Sequence, residues 1–142
     1  MARGPKTVET SRSEANSYLE KAGQFLNEAG SALDASRNDA VMLNAIHAAI
    51  SAADAVSVAL AGRRSADPNH QRTADLLEQV AGASPEIKQR AKQLRTLLAK
   101  KNVVEYESRR ATAKEAREAL ERAKRLFDWS EQTVHRARPQ SS

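Results

Sequence analysis

Apolar residues recur at helical spacing along almost the whole chain, and this periodicity is the feature that most restricts the fold. Between Asn38 and Ala61 they cover more than one side of the predicted helix, so this helix should lie at the centre of a bundle. Most of that surface is alanine, which favours helix and lets neighbouring helices approach closely. Strand signals and repeats of solenoid period are lacking.

Turn residues divide the periodic stretches into five predicted helices, at about residues 13–35, 38–61, 70–80, 85–106 and 112–136. Gly62 is a natural end for the second helix. Ser84 caps the fourth helix, and Pro85 suits its first turn. Thr112 and Glu115 form a capping box at the start of the fifth. The predicted fold is all-α, an up-and-down antiparallel helical bundle of four long helices and one short helix.

At 142 residues, the chain has the length of one domain. We expect the bundle over residues 13–136, between flexible tails at residues 1–12 and 137–142. No apolar run approaches the roughly 18 residues of a membrane span, and the first residues lack the apolar core of a signal peptide. A cytoplasmic protein without membrane contact is the expectation. Three His and no Cys argue against a metal site, and no cofactor is expected.

Positive charge is concentrated in one part of the chain. Residues 86–125 contain 13 Lys and Arg against 6 Asp and Glu, whereas residues 1–85 contain 8 against 10. Such a basic region is typical of a surface that binds phosphate or an acidic partner. A solvated basic helix is the alternative, because no aromatic residues interleave the charges. The residues that we expect to contact RNA or a partner protein are Lys88, Lys92, Arg95, Lys100 and Lys101.

The fourth helix carries an apolar stripe that runs into a polar cluster. At about 100° per residue, Ile87, Leu94 and Leu98 define a core-facing line. Continuing the helix brings four polar residues onto or beside that line, Lys101, Asn102, Glu105 and Tyr106. Burying a lysine and a glutamate without partners would be costly. The helix therefore leaves the core here, or the groups pair, or they line a groove.

Two segments of the chain resemble the HEPN domains, small helical bundles found widely in bacterial and archaeal toxin–antitoxin and defence systems. Residues 44–55, NAIHAAISAADA, resemble the Ala-rich central helix of the family. Residues 94–106, LRTLLAKKNVVEY, resemble its motif helix. The resemblance covers roughly residues 14–135. It implies a HEPN-like bundle that forms a homodimer.

Ribonucleases of that family carry an arginine, usually followed by a polar residue, and a histidine a few residues further on. Two subunits bring these residues together in one cleft. The corresponding positions here are Lys101, Asn102 and Tyr106. Lys101 keeps the charge but lacks the planar fork of arginine, and tyrosine is a poor general base near neutral pH. Other branches of the family carry an acidic residue and a tyrosine, which Glu105 and Tyr106 resemble, and they are not generally established as nucleases.

Four further side chains could contribute to a site. His47 and Asp54 are seven residues apart on the second helix, so they share a face and could hydrogen-bond toward Lys101 and tune it. Their alternative role is that of boundary residues on an Ala-rich helix. Arg64 and His70 match the ribonuclease spacing, but a Pro-containing loop lies between them. We therefore expect His70 to begin the third helix and Arg64 to be solvated.

The interpretation that these features favour is a HEPN-like binding protein that is catalytically inactive. It would recognise RNA, a ribonucleoprotein or an acidic protein partner through a basic face of the fourth and fifth helices. The first alternative is a metal-independent RNA endonuclease that acts as a toxin through Lys101, Asn102, Glu105 and Tyr106. The second is an accessory structural subunit of a nucleotidyltransferase-type toxin–antitoxin system.

Overall fold

The computed structural model describes residues 6–82 and 84–137, and within them it shows a helical bundle. Its helices are α1 (Ala15–Asp34), α2 (Asn38–Ala61), α3 (Gln71–Ala81), α4 (Pro85–Ala99), α5 (Lys101–Tyr106) and α6 (Ala113–Ala137). Two short strands are also present, β1 (Thr7–Glu9) and β2 (Arg63–Ser65). The predicted all-α bundle is confirmed.

The second helix is the centre of the structure. It contacts α1, α3, α4, α5 and α6. Its buried residues extend from Val41 at one end to Ala59 at the other and point to several sides of the helix. Ala45, Ala49 and Ala53 have no exposed surface, and their small side chains leave room for neighbouring backbones. Most of the wide apolar surface read from the sequence is therefore used for packing.

By length and hydropathy alone, α2 would be able to cross a membrane, which differs from our expectation that no segment approaches a span. A central helix of a bundle passes the same test. Within the bundle, 78% of this stretch is buried. Its apolar character is thus accounted for by contacts with the other helices.

Local signals begin α4 and α6 and end α2 at the positions that the sequence predicted. Ser84 Oγ accepts a hydrogen bond from the backbone N–H of Ile87 at 3.3 Å. The predicted capping box is present, because the N–H of Thr112 donates to Glu115 Oε1 at 3.0 Å and the N–H of Glu115 donates to Thr112 Oγ1 at 3.1 Å. Gly62 follows α2 with φ of 66°, in the left-handed region that favours glycine.

The chain before α1 contains a structure that the sequence did not indicate. Thr7–Glu9 pairs antiparallel with Arg63–Ser65, in place of the flexible tail expected over residues 1–12. Strands of three residues are too short to show a recognisable alternation, which explains the missing strand signal. The parts of the predicted tails at residues 1–5 and 138–142 lie outside the described residues.

The predicted fourth helix is divided at Lys100. The N–H of Lys100 donates to the carbonyl of Leu97 at 3.0 Å, and the N–H of Val103 donates to the carbonyl of Lys100 at 3.1 Å. Bonds of this i to i−3 type tighten the turn, as in a 3₁₀ helix, and rotate the residues that follow. Val104 then packs against the core. Lys101 remains partly exposed, so the core-facing line of α4 does not continue straight into α5.

Leu94→Ala should destabilise the bundle by about 2–5 kcal/mol, because it leaves a cavity beside a side chain with no exposed surface. Urea unfolding followed by circular dichroism measures this loss. Gln89→Ala, at an exposed position of the same helix, is the control and should change the free energy of unfolding by less than about 0.5 kcal/mol. Equal effects of the two changes would contradict the packing of α4 described above.

Candidate functional site

A groove lies between α5 and the loop that leads into α3. Its volume is about 350 Å³. Residues 68–71 form one wall. The other wall is formed by Leu98, Ala99, Lys101, Asn102, Glu105 and Tyr106. All four residues of the predicted polar cluster therefore line one groove.

Lys101 and Glu105 form an ion pair along one turn of α5. Lys101 Nζ lies 3.0 Å from Glu105 Oε2, and the two side chains are 25% and 27% exposed. The hydrogen bond from Lys101 lowers the pKa of Glu105 below its ordinary value, so the carboxylate stays ionised. An anion that enters the groove would compete with Glu105 for the ammonium group.

The ring of Tyr106 lies in solvent at the end of α5. Tyr106 is 77% exposed, whereas Trp129 is 7% exposed and belongs to the core. In the described part of the chain, Val8, which is 43% exposed, is the only other exposed large apolar side chain. The aromatic face of Tyr106 is therefore available for a flat partner.

The loop wall of the groove is held by hydrogen bonds between side chains and backbone. The N–H of Asn69 donates to Asp67 Oδ1 at 2.9 Å, and the N–H of Gln71 donates to Asn69 Oδ1 at 3.1 Å. These are Asx-type turns. Gln71 Nε2 also donates to the carbonyl of Arg95 on α4 at 3.3 Å. His70 is therefore fixed at the start of α3, where it lines the groove.

Arg95 joins α3 to α4. Its Nη2 donates to Asp75 Oδ1 at 2.9 Å, and its Nη1 donates to Glu78 Oε1. We expected Arg95 to contact RNA or a partner, but two carboxylates of the same chain already bind its guanidinium. Its position instead anchors the helix that carries the loop wall of the groove.

The remaining residues of the predicted basic face differ in their partners. Lys100 Nζ lies 3.7 Å from Glu115 Oε2. Hydrogen bonds from Arg109 are the main reason that the pKa of Glu115 falls to about 2, so this carboxylate is ionised. Lys88 and Lys92 are exposed and have no ion pair within residues 6–82 and 84–137. Three of the five predicted basic residues thus have acidic partners.

His47 and Asp54, the two residues on α2 that we expected near Lys101, lie in different surroundings. The ring centroid of His47 is 5.4 Å from that of Phe25. Burial, followed by the charges of His70 and Lys101, lowers the pKa of His47. The imidazole of His47 is thus close enough to the groove to be influenced by its charges.

Asp54 lies in the core and does not line the groove. It is 9% exposed, and its Oδ1 has no hydrogen-bond partner among the described residues. Burial raises the pKa of Asp54 to about 7, and the positive charge of Arg64 on β2 partly opposes this rise. No hydrogen bond or ion pair in the described part of the chain joins Asp54 to Lys101. Among the described residues, there is therefore no direct contact through which Asp54 would tune Lys101.

His70 lines the groove, which the sequence interpretation did not predict. The loop between Arg64 and His70 argued against a shared motif, and the two side chains do have different neighbours. Arg64 acts on Asp54, whereas His70 lines the groove with Lys101. No local signal in the sequence shows that this loop folds against α5. Among the residues with described positions, no group of three or more His, Asp or Glu could hold a metal ion.

The protein is thus a helical bundle with a polar groove beside α5. The model of the HEPN domain family matches residues 15–133. The chain therefore belongs to the HEPN domain family, as the resemblance of its second and fourth helices indicated. Comparisons with curated proteins and with solved structures give no match.

Asp54→Asn should remove a pH dependence of stability. Because burial raises the pKa of Asp54 from 3.8 to about 7, folding takes up a proton between these pH values. Wild-type stability should therefore fall as pH rises from about 4 to about 7, by at most about 4 kcal/mol, and stay low above that range. The variant should be more stable than wild type at pH about 8, as measured by urea unfolding across pH.

The control is Asp34→Asn, at an exposed position at the end of α1, which should leave the pH profile of wild type unchanged. A pH profile of Asp54→Asn that followed the wild-type curve would show that Asp54 does not titrate in this range.

Proposed function

We propose that this protein is a HEPN-domain binding protein that recognises RNA through the groove between α5 and the start of α3. The observation that carries the proposal is the set of side chains in that one groove: Lys101, Asn102, His70 and Tyr106. An ammonium group binds phosphate oxygens, and an amide hydrogen-bonds to base edges or sugars. An exposed aromatic ring stacks on an unpaired base.

The charge distribution supports this assignment. The chain has a net charge of +5. Residues 85–106, which span α4 and α5, contain 6 Lys and Arg against 2 Asp and Glu. Lys88 and Lys92 are exposed on α4, the helix whose residues Leu98 and Ala99 line the groove. A strand that extends from the groove along α4 would meet both lysines. Its binding should weaken steeply as salt concentration rises, because phosphate contacts release counterions.

Binding fits the groove better than catalysis by the residues at the family's motif positions. Lys101 is partly neutralised by Glu105. Its ammonium group is a point charge, whereas the guanidinium of arginine is a planar fork that can bind two phosphate oxygens. Tyr106 is exposed, and the phenol of a tyrosine is a weaker general base near neutral pH than the imidazole of a histidine. These two departures from the ribonuclease pattern favour recognition without cleavage.

Lys101→Gln and Glu105→Gln should change RNA affinity in opposite directions. Removing the ammonium should weaken binding about tenfold, and removing the competing carboxylate should strengthen it by about threefold to tenfold. Fluorescence anisotropy of a labelled RNA oligonucleotide at low salt measures both effects.

Matched controls separate the groove from net charge. Lys124→Gln removes one exposed lysine of α6, and Glu121→Gln removes the acid of the exposed i, i+4 pair with Arg125. Each control changes the net charge by the same amount as the corresponding groove variant. If each control and its matching groove variant changed affinity equally, the groove would not be the binding site.

A metal-independent ribonuclease is the second candidate function, and the position of His70 favours it. Cleavage requires a base that takes a proton from a ribose 2′-hydroxyl, which then attacks the adjacent phosphorus. It also requires an acid that protonates the leaving 5′-oxygen. An imidazole can exchange protons near neutral pH, and His70 lines the groove with Lys101. His70 would thus supply the group that Tyr106 lacks.

His70→Ala should abolish cleavage under this second function, with a fall in rate of at least about a hundredfold. The assay incubates purified protein with unstructured RNA in the presence of a chelator and detects 5′-hydroxyl products. His135→Ala, on the exposed end of α6, is the control. Wild-type protein that binds RNA and leaves it intact would eliminate the ribonuclease and keep the binding function.

A further inference from the structure

The groove has a ring-bearing side chain on each of its two walls. His70 belongs to the loop wall and Tyr106 to the α5 wall, and both line the same cavity. The ring of Tyr106 is largely exposed, and that of His70 is half-buried. Rings on two sides of a cavity favour a flat heterocycle, because its faces can stack on aromatic side chains.

The size of the groove fits a small ligand. Its volume of about 350 Å³ is near the lower end of the range for small-molecule sites, about 300–1,000 Å³. A base inside a duplex is already stacked and paired, so its faces and edges are occupied. An unpaired base can be splayed out and stacked on protein rings. The groove therefore favours a nucleotide from a single strand.

Lys101 and Tyr106 lie at opposite ends of α5, and Glu105, which pairs with Lys101, also lines the groove. Lys101 and Asn102 are in its first turn, whereas Tyr106 is its last residue. With a rise of about 1.5 Å per residue, Lys101 and Tyr106 are separated by about 7–8 Å along the helix axis. The groove thus offers an ammonium group, paired with Glu105 until an anion displaces that carboxylate, and an exposed aromatic ring, which suit the phosphate and the base of a nucleotide.

The wall that carries His70 is fixed before any ligand binds. Gln71 donates to the carbonyl of Arg95, and the guanidinium of Arg95 is bound by Asp75 and Glu78. Because this wall is already ordered, binding costs less conformational entropy there. Tyr106 is then the wall residue whose side chain loses conformational freedom when the ligand binds.

We propose that the groove is a slot for one unpaired nucleotide, whose base stacks between Tyr106 and His70 and whose phosphate contacts Lys101. This inference rests on the proposed RNA-binding function and adds the strand state of the ligand and the position of its base. It assigns His70 a binding role that the family's motif positions do not include.

The test compares alanine and phenylalanine variants at both walls of the slot. Affinities are measured by fluorescence anisotropy for an unstructured single-stranded RNA and for a duplex of equal length, at one salt concentration. The wild-type protein should bind the single strand at least about tenfold more tightly. Tyr106→Ala and His70→Ala should each weaken single-strand binding by about tenfold. Tyr106→Phe and His70→Phe keep a ring and should remain within about twofold of wild type.

A fluorescent purine analogue in the single strand reports stacking directly. Its emission should be quenched on binding to wild type and to the two phenylalanine variants, and much less on binding to the alanine variants. Circular dichroism melting of each variant tests whether the bundle is intact. Because Tyr106 is exposed, its replacement should have little effect on the stability of the fold.

The outcomes separate the slot from the proposed function. If Lys101→Gln weakened binding while all four ring variants bound like wild type, the RNA-binding groove would stand and the slot would be wrong. Equal affinity for single strand and duplex would also overturn the slot. If Lys101→Gln and the ring variants all left binding unchanged, the proposed function and the slot would fail together.

Discussion

Close packing of small side chains around α2 is the constraint on which the rest of this structure depends. Ala45, Ala49 and Ala53 have no exposed surface, and α2 contacts α1, α3, α4, α5 and α6. Larger side chains at these positions would push the outer helices apart, because protein interiors are packed to crystal-like density. The two walls of the groove, α3 with its loop and α5, both contact this helix, so packing around α2 also positions the groove.

Two ion-pair arrangements beside the groove have different consequences. Arg95 binds carboxylates of α3 from its position on α4, so it holds two helices together. Lys101 pairs with Glu105 within α5, and an exposed pair of this i, i+4 type contributes little to stability. An incoming phosphate can therefore displace Glu105 without disturbing the fold, whereas releasing Arg95 would loosen the loop wall. This difference makes Lys101 suited to ligand contact and Arg95 suited to support.

Membership of the HEPN family accounts for the helical bundle. The chemistry of the groove depends on its particular side chains. By the resemblance described above, Lys101 and Tyr106 correspond to the positions where ribonucleases of the family carry arginine and histidine. The groove nevertheless contains an imidazole, because His70 reaches it from the start of α3. Under the proposed function, the imidazole of the site comes from a segment of the chain outside the family's motif positions.

The sequence by itself determined the helices and the polar cluster. Periodicity marked the central helix, Ser84 and the Thr112–Glu115 box marked helix starts, and the apolar stripe of α4 pointed to Lys101. These signals predict well because each acts within one or two turns of its own helix. Tertiary structure decided the pairing of β1 with β2, the carboxylate partners of Arg95 and the presence of His70 in the groove that Lys101 lines. Those features depend on contacts between segments distant in sequence, and local spacing carries no information about which segments meet.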